Sequence, residues 1–347
     1  MRPRLVVLFA AAIAVASALG CADDTFEPPI PSGPTGGTPT TGIGGAGGST
    51  GGGAGDTTSS TEGGAGGATK PLPTFTTVFT ILLENHDYNE IVGSPYAPYL
   101  NSLIQEHGLA VHYYDSGVHP SLPNYLYLIS GAPQYPGVVN VDPTFAPYFP
   151  SNADNLAAQM EQAGIPWRAY QEHMGTPCKL TGAGLYAPKH NPFVYFANIV
   201  SGPDALCEKR DVDYTEFAAD LATGAYRYMW ITPDLVSDGH DPSWAPVAGL
   251  KNSDKWMAAE VPKILASEAY QSGGVLFITW DEAEGRNGND LHQIPMIVVS
   301  PKIKAKGLRV TRHLTHASYL ATLEDLFGLP RLGDAVGAPT LFEFFGD

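Results

Sequence analysis

Apolar positions are distributed along this chain in two regimes. A run from Leu5 to Leu19 follows Arg2 and Arg4, and then almost no large apolar residue occurs over 28–69. From Phe75 onward, apolar runs of strand length alternate with stretches of helical period, as far as Phe345. Residues 76–83 form a β-rich apolar run that predicts a strand covered on both faces. The spacing of Tyr99, Leu100, Leu103 and Ile104 predicts a helix over 97–107, closed by Gly108. By the same criteria strands are expected over 109–114, 166–171, 226–232, 274–279 and 294–300, and helices over 152–163, 212–223, 254–270 and 316–327. The glycine- and proline-rich segment 175–200 reads as a long ordered loop of the kind that serves a site. Strands alternate with helices throughout, so the fold class is α/β, a mainly parallel sheet flanked by helices.

The first fifth of the chain cannot contribute to that fold. Residues 1–20 read as a secretory signal, too short for a stable membrane span. Ala18-Leu19-Gly20-Cys21 resembles a lipobox, which makes Cys21 the expected lipidation site, with a plain signal peptide as the alternative. Ala22 in place of an aspartate favours an outer-membrane or cell-surface location over inner-membrane retention. Residues 21–73 are expected to be a tether, because glycine, threonine, serine and proline cannot bury enough surface to offset chain entropy. The folded domain is expected over 74–347.

Composition narrows the partners. A net charge of −16 excludes the basic face that nucleic-acid binders carry. With Cys21 lipidated, Cys178 and Cys207 are the remaining thiols, and an exported chain with two cysteines most simply forms one disulfide.

Candidate chemistry gathers at predicted strand ends. The strand over 76–83 runs into Glu84-Asn85-His86-Asp87, that over 226–232 into Asp234, Asp238 and His240, and that over 274–279 into Asp281-Glu282. In an open α/β sheet these carboxyl ends lie along one edge, where sites are built. Carboxylates crowded there would repel one another unless a cation sat between them. Oxygen donors of this kind suit Mg²⁺, Ca²⁺ or Mn²⁺ better than zinc. Ser121 heads a run with apolar residues at helical spacing that Gly131 closes, so its hydroxyl is expected at a helix N-terminus, where an anion can settle. Asn124, one turn on, could donate to the same anion, whereas the plainer reading makes Ser121 a cap. His190, His240 and His316 could hold phosphate oxygens or protonate a leaving oxygen. His112, His173 and His313 are read as structural.

Six ordered blocks carry a family resemblance: Glu84-Asn85; His119-Pro120-Ser121 with Pro123-Asn124-Tyr125; Tyr186 with Lys189-His190; the Asp-containing segment around His240; Thr279-Trp280-Asp281-Glu282; and His316 with Leu323-Glu324. Across Phe75 to the C-terminus the sequence resembles the bacterial phosphoesterase family of acid phosphatases and phospholipases C, within the alkaline phosphatase superfamily. The resemblance implies an alkaline-phosphatase-like fold and metal ligation by Glu84, Asn85, Asp281 and Glu282. It implies Ser121 as a nucleophile that forms a phosphoserine, with His190, His240 and His316 around the phosphate. Ser121-Leu122-Pro123-Asn124 is similar to the Thr-Phe-Pro-Asn motif of the related nucleotide pyrophosphatases. The implied activity is hydrolysis of phosphate monoesters, phosphoinositides among them, by a membrane-anchored enzyme. The phospholipase branch follows its Asp-Glu pair with Gly-Gly and then Asp-His, where this chain has Glu284-Gly285-Arg286-Asn287-Gly288-Asn289. A phospholipase C-type diesterase and a non-catalytic surface binding lipoprotein are the rival readings, and the role of His292, the oligomeric state and the metal's identity stay open.

Overall fold

The structure, a computed structural model, describes residues 72–133, 150–202, 205–286 and 290–346. The leader, Cys21 and nearly all of the tether lie outside the described residues. Nine strands form a single sheet: β1 (Val78–Leu83), β2 (Gly108–Tyr114), β3 (Trp167–Gln171), β4 (Asp211–Asp213), β5 (Tyr228–Thr232), β6 (Val275–Trp280), β7 (Gln293–Val299), β8 (Leu308–Val310) and β9 (Leu314–Thr315). Their spatial order is β4-β3-β5-β1-β6-β7-β2-β8, with β9 also pairing β2. All neighbours are parallel except β7, which runs antiparallel to both β6 and β2. The connection from β6 to β7 is confined to residues 281–292, with no α-helix among its described residues, and β7 folds back beside its predecessor. The start of β7 thereby lands on the same edge as the carboxyl ends of β1, β2, β5 and β6.

Every residue of β1 and β6 is buried, as expected for strands covered on both faces. The helices among the described residues are α1 (Tyr88–Ile91), α2 (Pro98–Glu106), α3 (Ser121–Ser130), α4 (Leu156–Gln162), α5 (Ala197–Val200), α6 (Cys207–Arg210), α7 (Phe217–Thr223), α8 (Pro246–Ala266), α9 (Glu268–Gln271) and α10 (His316–Phe327). Trp167, Trp230 and Trp280 are fully buried in the core, and Thr80, Tyr228 and Tyr319 link their hydroxyls there at 2.7 and 2.8 Å.

Several boundaries differ from the sequence reading for identifiable reasons. The helix expected from 254 starts at Pro246, whose fixed φ and missing N–H suit a first turn. It breaks after Ala266, where Ser267 caps α9 by accepting from Tyr270 N. The helix expected over 212–223 is shorter, because pairing with Tyr170 draws Val212 into the sheet and Asp213 caps the turn before Phe217. Asn155 accepts from Ala158 N and so delays α4 to Leu156. The segment 175–200 holds two 3₁₀ turns, Pro188–His190 and Pro192–Tyr195, as well as α5. A Cys178–Cys207 disulfide joins this segment to the start of α6.

One close approach ties a helix to the site edge. A Cβ on Gly249 in α8 would lie 1.9 Å from the carbonyl oxygen of Gly239, a backbone atom with little room to retreat. Gly249→Ala is therefore expected to push away the loop after β5 and destabilise the protein by about 1–3 kcal/mol, read as a fall in thermal midpoint. Asp211 offers a pH test. Burial pushes its carboxyl up to about 7, against the opposing amide donors of Asn191 and Gln171. The folded state then holds this proton while the unfolded chain releases it, so stability falls as pH rises from about 4 to 7, by about 4 kcal/mol in all. Denaturant titrations across that window should show a shallower slope in Asp211→Asn; an unchanged slope would assign the proton elsewhere.

Candidate active site

The site begins where β1 ends. Asn85 adopts a left-handed backbone (φ 28°), a region asparagine tolerates better than most residues, and this turns the chain sharply after Glu84. Main-chain bonds then tie three strand ends together: Glu84 N donates to Asp238 O at 2.9 Å and Asp281 N to Leu83 O at 3.0 Å. Asn85 N donates to the Asp281 carboxylate at 3.1 Å. Asp87 accepts backbone N–H groups from Glu284 at 2.6 Å, Gly285 at 3.0 Å and Arg286, holding the segment after β6. His86 Nε2 meets Gly239 O at 3.0 Å, which holds the loop after β5.

Ser121 is the first residue of α3, after Pro120 at the cap position. Its Oγ donates to Glu84 Oε2 at 2.9 Å. Tyr125, one turn on and on the same helix face, donates its hydroxyl to Glu84 Oε1 at 2.6 Å. The capping reading of Ser121 is thus replaced by a contact with the acidic edge of the sheet. Asn124 is engaged by protein groups: Nδ2 donates to Glu282 Oε2 at 3.2 Å and Val118 O at 2.7 Å, and Oδ1 accepts from Ser116 N and Oγ. It orients Glu282 from the helix side, while Asn85 Nδ2 reaches Glu282 Oε1 at 3.0 Å from the other.

Glu84, Asp238 and Asp281 are wholly buried and Glu282 nearly so. Burial raises the Asp281 carboxyl well above the usual range, and Glu84 and Glu282 add to it. Asp238 is raised in the same way by burial and by Glu84. Among the described residues, Asn85 Oδ1 and Asp281 Oδ2 have no hydrogen-bond donor. Buried oxygen atoms left this way normally have a partner, and carboxylate and amide oxygens are the chemistry that suits a hard divalent cation. The residues expected from sequence as metal ligands (Glu84, Asn85, Asp281, Glu282) are neighbours at this edge of the sheet.

The expected histidines fall into different environments. His190 lies buried between two carboxylates, with Nε2 3.2 Å from Glu84 Oε1 and Nδ1 3.4 Å from Asp238 Oδ2. Its ring stacks on Tyr125 at 5.3 Å, and burial pushes its pKa well below the usual imidazole value. His240 is partly exposed, on a loop whose backbone N–H at His240 is held by Asp238 Oδ1 at 3.0 Å. His316 is fully buried with both nitrogens occupied, by Tyr113 OH at 3.0 Å and by the Asp281 carbonyl at 2.7 Å. It does not face the open side of the site. A cavity of about 620 Å³ opens beside the site, lined by Tyr186, Lys189, Leu235, His240 and Asp241 among others.

Further groups at the site had no role in the sequence reading. His119 Nδ1 lies 2.5 Å from Glu282 Oε2, and that bond raises the His119 pKa. Asp115 ends β2 and meets His292 Nδ1 at 3.0 Å. The strand-end rule that found Asp281 would also have found Asp115. His292 could not be placed by it, because it precedes a strand and reaches this edge only through the reversal of β7. Tyr125 carries the spacing of a core residue, and its hydroxyl gives no signal in sequence. Of the histidines read as structural, His112 Nδ1 meets Thr311 O, His173 pairs with Asp234, and His313 stacks on Tyr114.

With this geometry in view, the similarities of the chain are informative. A phosphatidylinositol-3-phosphatase of Mycobacterium tuberculosis is 28% identical over 278 residues, covering 80% of this chain and 85% of that protein. A probable acid phosphatase of Kluyveromyces lactis is 28% identical over 279 residues, and the match covers 78% of this chain and 62% of the yeast protein. The fold is similar to that of a protein in the alkaline phosphatase superfamily from Vibrio parahaemolyticus, with a TM-score of 0.51 at 15% identity over 77% of this chain and 71% of that one. Residues 94–330, well over half the chain, match the Phosphoesterase family, and the chain belongs to that family of phosphate-ester hydrolases.

Proposed function

We propose that this protein is an exported phosphomonoesterase of acid-phosphatase type, in which Ser121 attacks phosphorus and forms a phosphoserine. The observation that carries this reading is the 2.9 Å contact of Ser121 Oγ with Glu84 at the head of α3, beside the buried carboxyls of Asp281 and Glu282. Ser121 Oγ forms the new bond to phosphorus as the ester oxygen departs, and its proton passes to Glu84 Oε2. The first-turn N–H groups of α3 bind the equatorial phosphoryl oxygens. Tyr125 and the neutral His190 keep Glu84 in place, Asn124 orients Glu282, and His316 holds the backbone of Asp281. His240, partly exposed at the mouth of the cavity, protonates the departing alkoxide; water then cleaves the phosphoserine and inorganic phosphate is released. A divalent ion held by Glu84, Asn85, Asp281 and Glu282 would supply charge neutralisation for the carboxylates and the transferring phosphoryl group.

Phosphoinositides enter the reading from the name of the mycobacterial relative. Export is supported by the Cys178–Cys207 bond, which forms and persists outside reducing compartments, together with the expected leader and lipidated Cys21. No helix among the described residues is long and apolar enough to cross a membrane, so anchoring in this reading rests on the lipid.

Ser121→Ala should reduce phosphate release from p-nitrophenyl phosphate by about 10³-fold or more, since the other hydroxyl on Glu84, that of Tyr125, is a fully buried phenol one turn into the helix. Full activity in the mutant would remove the serine from the mechanism, and a phosphorylated headgroup as product from a phospholipid would favour the diesterase reading. Chelation should abolish activity, with recovery on adding Mg²⁺, Mn²⁺ or Ca²⁺. Asp281→Asn separates binding from stability: activity should fall by about 10²-fold or more, while the metal-free variant should melt at or above the wild-type temperature because a like-charge contact has been removed.

A further inference from the structure

The large apolar side chains left exposed are unevenly placed on this domain. Among the described residues, Leu72 precedes β1 and Val336 follows the turn that meets the far end of α3. The rest stand on segments at the carboxyl edge of the sheet. Leu180 and Leu185 follow β3, Val236 and Trp244 follow β5, and Leu291 leads into the reversed β7. Tyr96 and Val247, ahead of α2 and at the head of α8, line one groove on that edge. Single exposed apolar residues are ordinary, whereas their concentration around one opening is not. The tips are also held in place. Ala183 and Tyr186 exchange backbone hydrogen bonds at 3.2 and 3.1 Å across Gly184 (φ 59°), and Leu235 N donates to Leu185 O at 3.1 Å, tying together the loops that carry Leu185 and Val236. Ala245 N donates to Pro242 O at 2.8 Å, which closes a turn around Trp244 directly before α8. Trp244 is 85% exposed, while Trp167, Trp230 and Trp280 are fully buried and Trp256 is half-buried with Nε1 donating to Glu172 at 3.2 Å. The cavity beside the site opens between these turns, with Gly184, Leu235 and Asp241 among its walls.

We propose that this rim seats on a phospholipid surface with Trp244 inserted at the interface, and that the ester taken from that surface is a lipid phosphomonoester. A tryptophan ring combines a large apolar body with one N–H, which suits the headgroup level of a bilayer. Apolar tips on separate turns around an open mouth fit a fluid surface, which needs no matching shape, better than they fit a rigid partner, whose interface core is close-packed. The net charge of −16 gives no attraction to an anionic surface, so apolar insertion carries the binding and salt leaves it intact. The length of chain ahead of the domain allows the contact. The tether expected over 21–73 enters ahead of β1, at the opposite edge of the sheet, and about fifty residues of glycine-rich chain span on the order of 40 Å. That exceeds the roughly 20 Å length of a six-residue strand such as β1, so a lipid on Cys21 and the carboxyl edge can meet the same bilayer. An ester held by its phosphoryl group at the head of α3 sends its other group out through this rim, where acyl chains stay in the lipid. The substrate half rests on the phosphomonoesterase reading; the docking surface does not.

The test uses the full chain carrying Cys21→Ala, so that no acyl group contributes, with phosphatidylcholine vesicles whose acyl chains are brominated and which hold a minor fraction of phosphatidate. The parent chain should co-sediment with the vesicles at low and high salt, and its tryptophan emission should be quenched. Adding Trp244→Ala should weaken vesicle binding by about 10-fold or more, abolish the quenching and slow phosphate release from phosphatidate to match, while leaving hydrolysis of p-nitrophenyl phosphate unchanged. Trp244→Phe should keep most of the binding, and Val236→Glu should weaken it independently. Absence of quenching, equal binding by Trp244→Ala, or binding lost at high salt would overturn the proposal. So would a dimer in vesicle-free solution that Trp244→Ala splits, which would assign the rim to a second copy of the chain. Hydrolysis of p-nitrophenyl phosphate with none of vesicle phosphatidate would overturn the substrate half. Quenching with no phosphate release from either ester would instead count against the phosphomonoesterase reading and leave the docking surface standing.

Discussion

Mutual repulsion among buried carboxylates is the constraint on which the rest of this structure depends. Glu84, Asp238, Asp281 and Glu282 come from the ends of three adjacent strands and share one dry cleft. Each charge removed from water costs several kcal/mol, and the proximity of like charges adds to it. The fold meets this in two ways. Part of the cluster is paired with fixed donors: Ser121, Tyr125, His119, Asn124 and the amides of Asn85. Among the described residues Asp281 Oδ2 keeps no hydrogen-bond donor, and a carboxylate oxygen of this kind is suited to a cation.

Such a cluster holds its shape only if the segments carrying it cannot relax apart. The links are short and mostly to backbone. Asp87 collects three amides of the segment after β6, His86 takes the carbonyl of Gly239, and His316 takes that of Asp281. Gly249 allows α8 to press against the loop that carries Asp238 and His240. A phosphate site needs this rigidity, because preorganised donors stabilise developing charge without rearranging during the reaction. His316 illustrates the division of labour. It sits among the residues expected to surround phosphate, yet both of its ring nitrogens serve the scaffold.

The edge of the sheet also carries two kinds of polar group side by side. β1 and β6 present oxygen atoms, whereas β2 and the reversed β7 present imidazoles around Asp115. Glu282 touches both groups, so a change in charge on one side is felt on the other. The exposed histidines lie toward solvent and the oxygen cluster lies inward, an order that follows from the greater cost of burying the carboxylates unless they are paired.

Much of this was legible in the residue pattern. The alternation of apolar runs and helical periods specified an α/β sheet, and the polar clusters after 83, 232 and 280 marked the carboxyl ends of its strands, because strand and helix periods are local properties of the chain. The placement of Ser121 at a helix start was readable for the same reason, and the pairing of Cys178 with Cys207 followed from the cysteine count. Tertiary structure alone decided that Ser121 binds Glu84 instead of capping its helix, that Asn124 and His316 face protein groups, and that Val212 joins the sheet. It alone decided the direction of β7, which carries His292 to the site. Each of these depends on which strand lies beside which, and strand order comes from contacts between residues far apart in sequence, which local periodicity does not encode.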